Sequence, residues 1–174
     1  MKRKISLILF SIAIICSLKT AAQKETKSFS LGFGLEAGVP VGTANSSLYS
    51  FTGGLTLRAS FHEGPGFITF TTGGIGYFPK AVNKNGKASI EIPFRAGYKY
   101  IIQHHFFLMG ELGYADFMYY YDTGNGVGHT SSGSMIAGIS AGFQSGSFEI
   151  GPRFGMNLKS GGGGDLALRI GFNF

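Results

Sequence analysis

The chain has 174 residues and 18.5 kDa, with 29 Gly, 17 Phe, 8 Tyr, one Cys, no Trp and a formal charge of +6. One domain is the natural size. Glycine supplies about one residue in six against roughly 7% in average proteins, while charged residues supply 14% against about 25%. The glycines keep no three-residue period and 44% of residues are hydrophobic, which excludes collagen and disordered linkers. Each glycine inside a helix would cost about 1 kcal/mol relative to alanine, so a helical bundle is excluded too.

The N-terminus reads as a secretory signal over residues 1–22. Lys2, Arg3 and Lys4 form a charged start, Ile5 to Leu18 an apolar run, and Thr20-Ala21-Ala22 a small-residue cleavage site before Gln23. The run is too short for a transmembrane helix, which needs about 20 apolar residues. Ile15 before Cys16 argues against a lipoprotein, whose modified cysteine follows a small residue. The mature domain, 23–174, then has no cysteine and no disulfide framework. Removing Lys2, Arg3, Lys4 and Lys19 leaves 11 basic and 9 acidic residues, so the charge is no footprint of nucleic-acid binding.

The remainder reads as eight strands. In Phe29 to Val39, odd positions are Phe, Leu, Phe, Leu, Ala and Val, and even positions are small or Glu36. That is the two-residue period of a strand. Phe51 to Phe61 repeats it, with Arg58 on the small face. Gly66 to Phe78 fits worst: Phe67 and Tyr77 share a parity that turns Ile68 and Phe70 inward, which predicts a register break before Gly73-Gly74. Ala88 to Ile102 is the clearest strand, with Ile90, Phe94, Tyr98 and Tyr100 on one face and Glu91, Arg95 and Lys99 on the other. Phe106 to Phe117, Met135 to Phe143, Phe148 to Leu158 and Leu166 to Phe174 follow. Pro93 and Pro152 fall within strands and predict bulges, and Asp116 takes the apolar parity of its strand, tolerable only at a rim.

Two patterns separate a membrane barrel from a soluble sandwich. The polar face is mostly Gly, Ser, Ala and Thr with isolated charges: Glu36, Arg58, Glu91, Arg95, Lys99, Glu111, Glu149, Arg153 and Arg169. A narrow interior holds such residues, and charges there must pair to offset desolvation. The opposite face is uncharged in the clean strands and suits lipid. Secondly, the eight strand ends on one side carry Phe29, Phe61, Phe67, Tyr100, Phe106, Phe143, Phe148 and Phe174, the pattern of an interfacial girdle. Connections on that side are short: His62 to Gly66, Gln103 to His105 and Gln144 to Ser147. Those opposite are longer: Pro40 to Ser50, Pro79 to Lys87, Asp122 to Gly133 and Lys159 to Asp165. Short periplasmic turns and long external loops have that distribution.

No motif assigns chemistry. Gly138-Ile139-Ser140-Ala141-Gly142 has nucleophile-elbow spacing but sits in an alternating strand, whereas the elbow needs a strand-turn-helix and a histidine. Gly124, Gly126 and Gly128 miss the dinucleotide fingerprint. His104 and His105 are adjacent, so on a strand they face opposite sides and make a poor metal pair, and His62 and His129 fall at opposite ends. No catalytic residue, metal or cofactor is assigned. Tyr119, Tyr120 and Tyr121 suit an external girdle or an external contact patch.

Ile92-Pro93-Phe94-Arg95-Ala96-Gly97-Tyr98-Lys99-Tyr100, the last strand ending Ile170-Gly171-Phe172-Asn173-Phe174, and an Ala-Gln cleavage site resemble the small outer-membrane β-barrel proteins common in Bacteroidetes. That family is similar in architecture to the OmpA membrane domain and OmpX. The resemblance implies an eight-stranded antiparallel up-and-down barrel in outer-membrane lipid, and recognition of Phe174 by the barrel-assembly machinery. Eight strands leave an interior filled by side chains. The expectation is a structural or surface-interaction protein whose external loops meet an unidentified ligand or protein. A small channel or transport accessory is the alternative, and a secreted lipocalin-like carrier, with the apolar face inward, the second.

Overall fold

The computed structural model describes residues 28–81, 87–124, 126–159 and 162–174. The expected signal segment, its expected cleavage site and Cys16 lie outside the described residues. Eight strands follow in order: β1 (Phe29–Val41), β2 (Tyr49–Glu63), β3 (Gly66–Pro79), β4 (Ser89–Ile102), β5 (Phe106–Asp122), β6 (Val127–Ser145), β7 (Phe148–Asn157) and β8 (Gly164–Asn173). A single-turn helix α1 (Thr43–Leu48) joins β1 to β2. Each strand pairs antiparallel with the next, and β8 returns to β1 to close the barrel. The seam is sealed at its foot by Phe174, whose N–H donates to the Leu31 carbonyl at 2.8 Å while its own carbonyl accepts from the Leu31 N–H at 3.2 Å.

Closure turns the two-residue alternation into an inside and an outside. Leu57, Leu112, Ile139 and Phe94 are each 60% exposed or more, in a belt with Leu35, Leu55, Phe70, Leu108 and Leu168. Soluble monomers rarely expose apolar patches beyond a few hundred Å². Such a belt is stable only against hydrocarbon, and a closed barrel can cross hydrocarbon because every strand has two partners.

The strands depart from the sequence expectation in four places. From Gly66 to Tyr77 the register of β3 is continuous against both neighbours, with no break before Gly73-Gly74. Ile68, Phe70 and Phe78 point out, and Ile75 and Tyr77 point in, buried. Tyr77 is a filler of the interior, so its parity conflicts with nothing; Phe67 shares that inward parity at the periplasmic rim, half-buried with its ring 5.3 Å from His62.

Neither proline makes a bulge. Pairing resumes in the same register on both sides of Pro93 and of Pro152, and each simply interrupts one ladder. A ring without an N–H removes one bond, and the flanking pairs hold the register. The register shift among the described residues lies at Tyr49/Phe51 of β2. Asp116 does lie on the outward face, half-buried. Ten residues above Phe106, at about 3.3 Å per residue and a tilt of about 45°, it stands roughly 23 Å up, at the edge of a band about 25 Å tall.

The last departure is the largest. The segment expected to be a loop from Asp122 to Gly133 is mostly strand, because β5 runs on to Asp122 and β6 begins at Val127. β5 and β6 have 17 and 19 residues, against 10 each in β7 and β8. The excess carries a two-stranded hairpin about 15–20 Å beyond the shorter strands.

Candidate functional site

The polar face of the barrel meets itself across the lumen. All nine charged residues predicted there are at most 4% exposed. Glu149 is the hub near the periplasmic end: its Oε1 accepts from Arg58 Nη1 at 2.7 Å and Arg169 Nη1 at 2.6 Å, and its Oε2 accepts from Lys99 Nζ. Lys99 also donates to Gln144 and lies 4.6 Å over the Phe107 ring. A second centre forms on the β1, β7 and β8 wall, where Arg153 Nε donates to Glu36 Oε2 at 2.9 Å and its Nη2 to Asp165 Oδ2 at 2.5 Å. Thr56 Oγ1 donates to Glu36 Oε1 at 3.1 Å. Opposite, Arg58 Nε donates to Thr71 Oγ1 and Thr71 donates to Glu111 Oε1 at 2.8 Å. Arg95 Nη1 stands 3.7 Å from Glu111 Oε2.

Asp165 is the residue that sequence reasoning missed. Glycines 161–164 before it make it read as the end of the Lys159 to Asp165 loop, yet it shares the inward parity of Ala167 and Arg169 and is buried. With it, five buried cations face five buried carboxylates among the described residues, so the lumen is neutral by formal count. Glycine makes the room. A Cβ on Gly34 would lie 2.6 Å from Arg169 Cζ, and one on Gly155 would lie 2.5 Å from Arg153 Nη1 and 2.7 Å from Asp165 Oδ1.

Towards the external end the filling changes from ionic to aromatic. Tyr49, Ile75, Tyr77, Ala115, Phe117 and Ile136 form a buried cluster with Tyr119 against it. Its phenols remain satisfied: Tyr77 donates to Glu91 Oε2 at 2.7 Å, and Tyr49 shares a 2.8 Å hydrogen bond with Ser89. Phe107 and Met109 are the buried apolar groups nearer the periplasmic end.

The aromatic cluster continues upward onto the hairpin. Tyr119 and Tyr121 share the inward parity of Phe117, with the Phe117 and Tyr119 rings stacked 6.2 Å apart. Only Tyr120 of the three tyrosines takes the outward parity, its ring 6.0 Å from His129. Tyr121 is exposed and lies over Gly128, where a Cβ would sit 2.8 Å from its ring. Above Ile136↔Asn157, β6 has no ladder partner on its β7 side among the described residues beyond the Leu158 N–H on the Met135 carbonyl. Where the hairpin meets the β3–β4 connection, Lys87 Nζ is 3.3 Å from Asp122 Oδ2. That ammonium and the Gly124 N–H, which comes first, hold the Asp122 carboxyl below its usual range.

Of the predicted periplasmic girdle, Phe29, Phe61, Tyr100, Phe106, Phe143, Phe148 and Phe174 are exposed, and Phe67 departs as described. Ser140 lies opposite Met109 and Arg153, with no histidine among those partners. Gln103 and His104 are turn residues with φ of 48° and 66°. No group of three or more His, Cys, Asp or Glu among the described residues is placed to hold a metal ion.

No protein-family model matches the sequence, and no curated protein matches it. Solved structures do match. Ail, the attachment invasion locus protein of Yersinia pestis, is similar with a TM-score of 0.64 at 16% identity, over 86% of this chain and 100% of that one. The fold is that of a small outer-membrane barrel. The N-terminal β-barrel domain of Pseudomonas aeruginosa OprF gives a TM-score of 0.63 at 11% identity, over 83% of this chain and 97% of that domain. Neisserial surface protein A gives 0.58 at 12% identity, over 87% and 100%. Ail has also been solved with the heparin analogue sucrose octasulfate, and that structure matches with a TM-score of 0.65 at 17% identity, over 84% of this chain and 98% of that one.

Proposed function

We propose that the protein is exported by its N-terminal segment, resides in the bacterial outer membrane, and presents the β5–β6 hairpin as a recognition element on a barrel with a filled lumen. The observation that carries this reading is the division of the wall. An apolar belt and periplasmic aromatics face out, neutralised charges face in, and β5 and β6 are the longest strands among the described residues. Phe174, tied to β1 at the seam, suits the resemblance's expectation of recognition by the barrel-assembly machinery. The origin suggested by that resemblance, in Bacteroidetes, belongs to the same proposal.

The external partner has a chemical limit. From Tyr119 to Gly133 the hairpin contains no Lys or Arg, and the described cations that touch it are Lys87 on Asp122 and Lys159 on Ser132, a thin positive charge for a polyanion of the kind that Ail has been solved with. Tyr119, Tyr121 and the free β6 edge favour an uncharged or mixed partner, held by ring contact and backbone hydrogen bonds. The channel reading is disfavoured by the aromatic cluster and the ionic network in series, and the lipocalin-like reading by the outward apolar face.

Membrane fractionation with a heat-modifiability gel tests the location: the protein sediments with outer membranes and shifts on boiling, and a soluble product without a shift would reject the reading. Planar-bilayer recording tests the lumen. Steady, sizeable single-channel currents from the purified barrel would sink the filled interior.

A further inference from the structure

Arg95 is the anomaly of the lumen. It is 4% exposed, yet Nε, Nη1 and Nη2 all lack a hydrogen-bond partner among the described residues, and Oε2 of neighbouring Glu111 lacks one too. Every other luminal cation donates to a protein oxygen. A buried guanidinium with no acceptor carries a penalty of several kcal/mol, so something outside the chain accepts from it.

Beside Arg95 is a cavity of about 10 Å³, lined also by Tyr77, Glu91, Arg153 and Asp165 and roofed at the external end by Asn45, Asn157 and Gly163. Its size fits one water molecule. Its chemistry agrees. An anion attracted to Arg95 would meet the carboxylates of Glu91 and Asp165, and a cation attracted to those would meet Arg95 and Arg153. A neutral molecule that accepts from Arg95 and donates to a carboxylate satisfies both.

We propose that this cavity binds an ordered water that holds Arg95 in the network, and that the water exchanges with the external side past the roof of Asn45, Asn157 and Gly163. The site is a dead end: Phe107 and the Glu149 cluster lie between it and the periplasm. Water therefore penetrates the barrel from one side without crossing it.

The test is water-selective NMR on arginine-¹⁵N-labelled protein in lipid nanodiscs. Arg95 is assigned by the signal lost in Arg95→Lys, or in Arg95→Gln should the first variant fold poorly. The Arg95 Nε–H shows a cross-peak to water and exchanges about tenfold or more faster than the Nε–H of Arg58 or Arg153, which have protein acceptors. An Arg95 Nε–H with no water cross-peak and exchange as slow as Arg153 would overturn the proposal. A saturable shift of the Arg95 signal on titration with formate or chloride would overturn it in favour of an anion. Either failure leaves the hairpin and membrane reading untouched, since neither depends on this cavity.

Discussion

Glu149 and Arg95 share one lumen and one degree of burial, yet they are held in opposite ways. Glu149 receives three cations through hydrogen bonds of its two oxygens. Arg95 has only the loose approach of Glu111 at 3.7 Å. Burial gives a charge its cost, and partners alone offset it. A list of luminal charges therefore does not rank their importance, and substitution would.

The largest effect is expected from Glu149→Ala, which strands Arg58, Lys99 and Arg169 together. Breaking one buried pair costs about 3–5 kcal/mol, so the unfolding free energy from urea titration of the micelle-folded barrel falls by at least that much or the barrel fails to form. Gly34→Ala comes next. Its new methyl displaces the Arg169 guanidinium, and overpacking costs about 1–3 kcal/mol, read in the same titration. Arg95→Met should cost less than Glu149→Ala, because it removes one loose ion pair, to Glu111 at 3.7 Å, and no protein hydrogen bond, although it leaves one luminal carboxylate without a balancing cation. Equal losses for Glu149→Ala and Arg95→Met would erase the contrast and make the lumen an undifferentiated field of charge.

The smallest effect lies outside the membrane, at Asp122. A carboxyl held below its usual range stabilises the folded state above the unfolded value and loses that contribution as pH falls through the folded one. Fully exposed, it shifts stability little. Its NMR titration midpoint should nonetheless lie below that of an ordinary aspartate and rise in Lys87→Met. No change in that variant would leave the Gly124 N–H as the whole cause.

How legible this was varies by residue. Alternation placed Glu36, Arg58, Arg95 and Arg169 on one face without any structure, since a strand offers only two faces. Tyr77 and Phe117 obey the same alternation, yet Tyr77, sharing its parity with Phe67, reads as a conflict with Ile68 and Phe70. They turn inward to fill the external half of the lumen with Ile75 and Ala115, where Tyr77 keeps a polar partner in Glu91. Asp165 was obscured by the glycines before it. The hairpin was obscured by its composition, since Gly, Ser and Thr above the membrane read as loop, while pairing of β5 with β6 extends both strands regardless of propensity.

What the sequence determined by itself was the division of each strand into two faces and of the barrel into two unlike ends: a two-residue period, an uncharged face, aromatics at one set of strand ends and short turns on that side. These are local, and the bilayer imposes them strand by strand. What only the tertiary structure decided was which charge meets which, where ionic filling gives way to aromatic, and which strands outgrow the barrel. Those depend on register and stagger around a closed sheet, where Arg58 and Glu149 meet across 91 residues of chain, and no single strand carries that information.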